Sequence, residues 1–141
     1  MTNPASQTER LQTAAAGAAK NAYAPYSGFR VGAALLFDDG AVSTGCNVEN
    51  ISYSLCICAE RTALVRAIAE GGADRRITAI AVTNLNHTAG HPCGACLQML
   101  SEFVTPDARI SFPSDSGLIE KSFAELLPFA FANWKERDAR R

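Results

Sequence analysis

The segment from Ile77 to Thr83 is an almost uninterrupted run of apolar residues. A strand that faces solvent on one side alternates apolar and polar residues, so this run predicts a strand buried on both faces of a sheet. Segments with apolar residues at helical spacing lie on either side of it along the chain. They are Thr8–Ala22, Ala59–Ala69 and Gly94–Phe103. We therefore expect an α/β layer architecture in which helices cover a mixed sheet.

Four further strands and a last short helix complete the predicted elements. Phe29–Phe37 and Ala41–Cys46 are separated by Asp-Asp-Gly, a turn sequence typical of a β-hairpin. Arg109–Phe112 and Leu118–Ser122 are predicted as shorter strands, and the motif Leu126-Leu127-Pro128 follows them with a last short helix. Pro25 is expected to end the first helix. The order of the strands in the sheet does not follow from these patterns.

Length and composition favour one domain, residues 1–141, without repeats or linker-like stretches. Thirteen basic residues against fourteen acidic ones give a formal net charge of −1, so no basic field exists to attract nucleic acid. No apolar stretch approaches the roughly 20 residues needed to cross a bilayer. The polar segment Met1–Gln12 lacks the apolar core of a secretory signal, so we expect a cytoplasmic protein.

The cysteines carry the clearest chemical signal, and they are Cys46, Cys56, Cys58, Cys93 and Cys96. In a reducing compartment an odd, clustered set favours metal binding over disulfides. Catalytic zinc takes three protein ligands and leaves its fourth position to water. Cys58, Cys93 and Cys96 offer those three ligands, and Glu60 follows the first of them by two residues. This arrangement predicts a hydrolytic zinc site in which Glu60 accepts a proton from water and returns it to the substrate.

Both groups of ligands lie where a predicted helix begins. Unpaired backbone N–H groups and the positive helix end would offset the negative charge of three thiolates there. Arg61 is placed to neutralise part of that charge. A fourth ligand from Cys56 or His91 would instead close the site and make the zinc structural. That alternative, a non-catalytic zinc module with a dispensable Glu60, stays open from the residues alone.

Several motifs lie between about Ala14 and Phe131, and they are Ala24-Pro25-Tyr26-Ser27 with Phe29, Val31-Gly32-Ala33-Ala34, Gly45-Cys46-Asn47-Val48-Glu49-Asn50, Ser52-Tyr53, Cys58-Ala59-Glu60-Arg61, Pro92-Cys93-Gly94 with Cys96 and Gln98, and Leu126-Leu127-Pro128. On these motifs the sequence resembles the small, homo-oligomeric cytidine deaminases. The resemblance implies a three-layer fold with a mixed sheet of about five strands covered by helices. It also implies one Zn²⁺ per chain and hydrolysis of free cytidine, and of 2′-deoxycytidine, to uridine or deoxyuridine and ammonia in pyrimidine salvage.

The resemblance further implies roles for residues that contact the substrate. Asn47 and Glu49 would hold the ribose 3′-hydroxyl, where a carboxylate would repel a phosphate and so favour a free nucleoside. Phe29 would pack on the base, and backbone groups of Ala59 would contact the pyrimidine. The two residues expected to close the site, partly from neighbouring subunits of a homotetramer, are Tyr53 and Phe131.

Two positions depart from the family pattern. His91 stands where the family usually has Ser, and Leu97 stands where it usually has Arg. The missing Arg would leave more of the charge compensation to Arg61. Other deaminases remain as alternatives: a blasticidin-type enzyme would not need the Asn47 and Glu49 pair, a deoxycytidylate deaminase would need a cationic phosphate pocket, and a tRNA or DNA deaminase would need a basic face.

Overall fold

The computed structural model describes residues 4–132 and contains one five-stranded sheet with helices on both faces. The helices are α1 (Pro4–Ala19), α2 (Ala59–Gly71), α3 (Gly94–Leu100) and α4 (Phe123–Leu126), with a short 3₁₀ helix at Tyr53–Leu55. The strands are β1 (Val31–Phe37), β2 (Val42–Cys46), β3 (Ile77–Asn84), β4 (Val104–Ser114) and β5 (Gly117–Ser122). No helix within this part of the chain is long and apolar enough to cross a membrane.

The strand order is β2-β1-β3-β4-β5, with β3 at the centre. Strand β1 is antiparallel to both of its neighbours, and Ala34 pairs with Thr44 on β2 and Ala81 on β3. Strands β3 and β4 are parallel, in a register that pairs Ile80 with Ile110, and β5 returns antiparallel along β4. The sheet is therefore mixed, as the sequence predicted.

The two faces of the sheet bury different helices. Ile80 on β3 lies in the larger core with α2, α3 and α4, whereas Ala81 lies in a smaller cluster with Leu11 and Ala15 of α1. Successive residues of a strand point to opposite faces, so both faces of β3 must be apolar. This confirms the interpretation of the apolar run from Ile77.

Several element boundaries differ from the predictions. Helix α1 ends at Ala19, six residues before Pro25, because the chain turns there and pairs Tyr23 with Val48. Strand β1 begins at Val31, helix α3 ends at Leu100, and β4 is longer at both ends than predicted. The last short helix, α4, precedes Leu127-Pro128, and residues 127–132 are not helical. These boundaries depend on tertiary pairing, which local propensity does not report.

Candidate active site

Three cysteines from two helix starts converge at one point of the molecule. Cys58 is the N-cap of α2, Cys93 is the N-cap of α3, and Cys96 lies in the first turn of α3. The Sγ atoms lie within 4.8 Å of one another, with 4.0 Å between Cys58 and Cys93 and 3.4 Å between Cys93 and Cys96. Tetrahedral zinc with Zn–S bonds of about 2.3 Å places its sulfurs about 3.8 Å apart. The donor type and the spacing therefore fit a zinc ion.

The start of α3 supplies a backbone hydrogen-bond donor to one of the sulfurs, whereas the Cys58 side chain makes no cap hydrogen bond at the start of α2. The backbone N–H of Cys96 donates to Sγ of Cys93 at 3.4 Å, so one of the free N–H groups of α3 is satisfied by a ligand side chain. The residue before α2 is positioned by main-chain pairing, because Ile57 and Val48 exchange two backbone hydrogen bonds of 2.9 Å. Both ligand groups are thus held by backbone geometry.

Electrostatics favour a thiolate at Cys58. A hydrogen bond with the Cys96 thiol and the adjacent Arg61 guanidinium lower the pKa of Cys58 to about 5. The guanidinium Nη2 of Arg61 donates to Sγ of Cys58 at 3.3 Å. The same hydrogen bond to Cys58, together with burial, raises the pKa of Cys96. A metal ion bound by all three sulfurs would require each of them as a thiolate.

Glu60 lies beside the cluster in the first turn of α2, and it is only 3% exposed. Burial raises the pKa of its carboxyl group, since the charged form loses solvation, and the Cys58 thiolate adds to the effect. A carboxyl group with a raised pKa can both accept and return a proton near neutral pH.

A cavity of about 190 Å³ adjoins the cluster. Of the residues that the sequence assigned to substrate, Phe29, Asn47 and Ala59 line it together with Glu60. It is small beside the roughly 300–1,000 Å³ of typical small-molecule sites. A larger cavity of about 400 Å³ lies between the loop after β3 and the β4–β5 hairpin, but it includes neither Glu60 nor any of the three cysteines.

Asn47 and Glu49 both hold the loop that precedes β1. The Asn47 side chain accepts a hydrogen bond from the Val31 N–H and donates one to the Phe29 carbonyl, each 2.8 Å long. The Glu49 carboxylate accepts hydrogen bonds from the Ser27 hydroxyl and from the backbone N–H groups of Tyr26 and Ser27. The bond from the Ser27 hydroxyl is the main reason that the pKa of Glu49 is lowered. Glu49 is not among the residues that line the cavity.

Tyr53 and Phe131 lie outside the cavity of their own chain and are 72% and 86% exposed. Tyr53 lies on the 3₁₀ helix and meets Tyr26 edge to face, with ring centroids 6.0 Å apart. The backbone of Phe131 is tied to α3, because the Gln98 side chain donates to its carbonyl at 2.8 Å and accepts from its N–H at 3.1 Å. The single chain therefore does not bring these two aromatic residues to the cluster.

Cys56 and His91 were the candidates for a fourth ligand, and neither belongs to the cluster found among residues 4–132. The Cys56 sulfur accepts a hydrogen bond from the Asn50 N–H instead. The His91 ring lines the cavity and packs edge-on against Phe112 at 5.3 Å. Leu97 is 6% exposed and lies in the larger core, so an apolar residue suits its position.

Sequence reasoning missed three residues around Phe29. Asn84 and Gly90 line the cavity, and Asn86 binds the backbone on both sides of Phe29. No local motif marks them, because they lie more than fifty residues from Phe29 along the chain. The proximity of Asn84 to the site could have been found from its place at the end of a central strand, where loops form binding sites in α/β folds.

Comparison with known proteins agrees with this geometry. A family model described as the cytidine and deoxycytidylate deaminase zinc-binding region matches residues 5–111. A cytidine deaminase of Halalkalibacterium halodurans is 47% identical over 81% of this chain and 86% of the relative. One from Mycobacterium tuberculosis is 42% identical over 86% of each chain. The crystal structure of the Burkholderia pseudomallei cytidine deaminase covers 93% of this chain and 100% of its own, at 45% identity and a TM-score of 0.80.

A cluster of three cysteines at two helix starts, a buried carboxylate and a mixed five-stranded sheet define a zinc-dependent deaminase fold. The chain belongs to the cytidine and deoxycytidylate deaminase family and is an enzyme of that family. The family resemblance, the α/β fold and the expected zinc cofactor are thereby confirmed.

Proposed function

We propose that this enzyme hydrolyses free cytidine, and also 2′-deoxycytidine, to uridine or deoxyuridine and ammonia. The observation that carries the proposal is the buried carboxylate of Glu60, placed between a three-cysteine cluster and a cavity lined by Phe29 and Asn47. The relatives named cytidine deaminase support the choice of nucleoside. We place the enzyme in the cytoplasm and in pyrimidine salvage.

Chemistry in this site needs a water nucleophile and a proton carrier. Cys58, Cys93 and Cys96 would hold a zinc ion, which would supply the Lewis acidity that makes water nucleophilic near neutral pH. The Glu60 carboxylate would accept one proton of the attacking water, as the water oxygen bonds to the amino-bearing ring carbon, and pass that proton to the ring nitrogen. The remaining hydroxyl proton would then pass through Glu60 to the amino group as the C–N bond breaks, which leaves a ring carbonyl and ammonia. The burial of Glu60 suits this role, because burial raises the pKa of the carboxyl group above its usual range.

The base and the sugar are recognised at different places. The Phe29 ring offers an apolar surface to the pyrimidine, and the backbone of Ala59, in the first turn of α2, offers polar groups to its edge. Asn47 keeps one side-chain N–H after its bond to the Phe29 carbonyl, and a carboxylate such as Glu49 accepts up to about four hydrogen bonds. Both therefore retain hydrogen-bonding capacity for the ribose 3′-hydroxyl, Asn47 from the cavity lining and Glu49 from outside it.

Charge argues against nucleotides as substrates. The pKa of Glu49 is lowered, so its carboxylate is ionised at neutral pH. A phosphate placed beside it would be repelled, and the net charge of −1 offers no compensating basic field. Free nucleosides are therefore the substrates, and nucleic acid is not a partner.

The complete site forms in a homotetramer, in which Tyr53 and Phe131 reach the cavity of a neighbouring subunit. Both side chains are exposed in the single chain, and the cavity has a volume of only about 190 Å³. Large apolar side chains in residues 23–26 and 48–57 are also exposed, and these are Tyr23, Tyr26, Val48, Ile51, Leu55 and Ile57. A soluble chain that exposes so many apolar residues in one region is suited to association.

The decisive experiment follows the ultraviolet absorbance of cytidine with purified protein of known zinc content, with cytidine monophosphate alongside. We expect about one zinc per chain, conversion of cytidine to uridine, and no conversion of the monophosphate. Glu60→Gln should lose at least about a thousandfold in kcat and keep its zinc, because it removes the proton carrier and leaves the ligands. The matched control is Glu70→Gln, an exposed glutamate on the same helix.

Three results would contradict the proposal. Turnover of the monophosphate in place of the nucleoside would indicate a deoxycytidylate-type enzyme. Full activity of Glu60→Gln would indicate another proton carrier, and zinc binding without turnover of any nucleoside would favour a structural zinc module.

A further inference from the structure

Phe29 lies in a short segment just before β1, between Gly28 and Val31. On one edge of this segment the Asn47 side chain binds the Phe29 carbonyl and the Val31 N–H. On the other edge the Asn86 side chain donates to the Gly28 carbonyl at 3.1 Å and accepts from the Arg30 N–H at 3.0 Å. A carboxamide carries the same donor and acceptor as a peptide group. The two asparagine side chains therefore pair with the backbone of this segment as neighbouring β-strands would.

Asn86 is itself held in place by Asn84. The Asn84 side chain accepts hydrogen bonds from the N–H groups of Asn86 and Thr88 and donates one to the Thr88 carbonyl. Asn84 is 8% exposed and ends β3, the central strand, so it is fixed by the core. The loop after β3 therefore presents the Asn86 amide from a rigid support.

The same loop contacts the aromatic ring. A Cβ added at Gly90 would lie 3.7 Å from Cζ of Phe29 and 3.1 Å from Nδ2 of Asn84. An added Cβ at Gly90 would thus make an ordinary contact with the ring and a tight one with the Asn84 side chain. Backbone and ring of Phe29 are both positioned by the residues between β3 and α3.

We propose that Asn86 is a positioning residue for substrate binding, acting through Phe29. Asn86 is exposed and does not line the cavity, so it has no direct contact with the base. The inference rests on the proposed function in that Phe29 packs on the pyrimidine. Such a contact is made equally in the ground state and in the transition state, so loosening it raises KM and leaves kcat nearly unchanged.

The test combines Asn86→Ala with a double-mutant cycle. Two hydrogen bonds are lost, so we expect KM for cytidine to rise about three- to tenfold while kcat stays within about twofold. Asn86→Asp keeps the acceptor for Arg30 and loses the donor to Gly28, so its KM should be intermediate. In a Phe29→Ala background, Asn86→Ala should add little further loss, because its effect passes through the missing ring.

The control is His87→Asn, a change at the exposed neighbouring residue, which has a positive φ of 53° that asparagine tolerates. It should leave KM unchanged. An unchanged KM in Asn86→Ala, or an equal loss in the presence and absence of the Phe29 ring, would overturn the inference.

Hydrogen exchange separates this inference from the proposed function. The Arg30 amide proton, which Asn86 binds, should exchange faster in Asn86→Ala and at the wild-type rate in His87→Asn. If the wild-type enzyme fails to turn over cytidine, the proposed function is wrong, and exchange at Arg30 still tests the positioning of this segment. Unchanged exchange at Arg30 in Asn86→Ala would refute it in either case.

Discussion

Arg61 is the guanidinium that contacts the cysteine cluster. It donates to Sγ of Cys58, and its Nε is buried without a hydrogen-bond partner within residues 4–132. The position after Cys96, where the family usually has Arg, holds the buried residue Leu97. Compensation of the negative charge on the cysteine sulfurs by a side chain therefore depends on Arg61.

We predict that Arg61→Ala weakens zinc retention by about ten- to a hundredfold, because a charge-assisted hydrogen bond to a ligand thiolate is lost. Competition with a chromogenic chelator measures the affinity. Arg66→Ala, on the exposed part of the same helix, is the control and should retain zinc like the wild type. Wild-type affinity in Arg61→Ala would mean that helix N–H groups alone compensate the thiolates.

The Ser27 hydroxyl gives a pH-dependent prediction through Glu49. Its hydrogen bond lowers the pKa of Glu49 in the folded protein, so the bond stabilises the fold above the unfolded pKa of a glutamate. That contribution is lost as the pH falls through the lower, folded pKa. Ser27→Ala should therefore raise the pKa of Glu49, and the difference in unfolding free energy between the two proteins should shrink at acid pH.

Carboxyl titration by NMR measures the pKa, and denaturant unfolding between neutral and acid pH measures the stability. Glu125 serves as the internal reference, because its pKa is lowered by hydrogen bonds with Ser122, which caps α4 and is far from Ser27 along the chain. It should titrate identically in both proteins. If the difference in unfolding free energy between the wild type and Ser27→Ala grew on acidification, the prediction would be wrong.

Helix α2 and strand β2 approach each other closely at Gly45. A Cβ there would lie 2.7 Å from the Ala59 carbonyl oxygen and would also overlap the backbone of Ala63. Both contacts are with backbone, so relief requires movement of the helix that begins with Cys58 and carries Glu60. Packing of these two elements thus affects both the core and the site.

We predict that Gly45→Ala destabilises the protein by about 2–4 kcal/mol and lowers zinc affinity, since the added methyl overpacks backbone against backbone. Gly17→Ala is the matched control, because Gly17 is exposed in α1 with nothing within 4 Å of its added Cβ. It should stabilise by about 0.5–1 kcal/mol through helix propensity. Thermal unfolding measures the stability of the two variants, and the zinc content of each is quantified in parallel. Equal, small effects would show that α2 can shift freely.

At the level of the whole molecule, the proposed homotetramer makes activity dependent on assembly. Leu55, on the 3₁₀ helix, is 63% exposed beside Tyr53. We predict that Leu55→Asp lowers the molecular mass measured by sedimentation and reduces activity at least about tenfold, because a charge is costly to bury in an apolar interface. Zinc content should be retained, since the cysteines come from one chain.

The control for assembly is Leu118→Asp on the edge strand β5, where the leucine is 53% exposed. It should leave both mass and activity at wild-type values. A monomeric Leu55→Asp variant with full activity would show that one chain completes its own site.

The local part of the site could be predicted from sequence. Glu60 follows Cys58 by two positions and Cys96 follows Cys93 by three, and helix starts were recognisable from the apolar spacing that follows them. The apolar run of β3 likewise determined that the sheet is covered on both faces, because burial on each face needs an apolar residue at each alternate position.

Only the tertiary structure decided which distant residues meet. Asn86 and Gly90 come to Phe29 because β3 pairs with β1 in one register, and Gln98 binds the backbone of Phe131, thirty-three residues further along the chain. These contacts depend on strand order, register and loop paths, and the chain encodes those through the combined packing of many residues. Sequence pattern therefore determined the layers and the metal ligands, whereas the position of the aromatic rings around the cavity was decided by how the layers assemble.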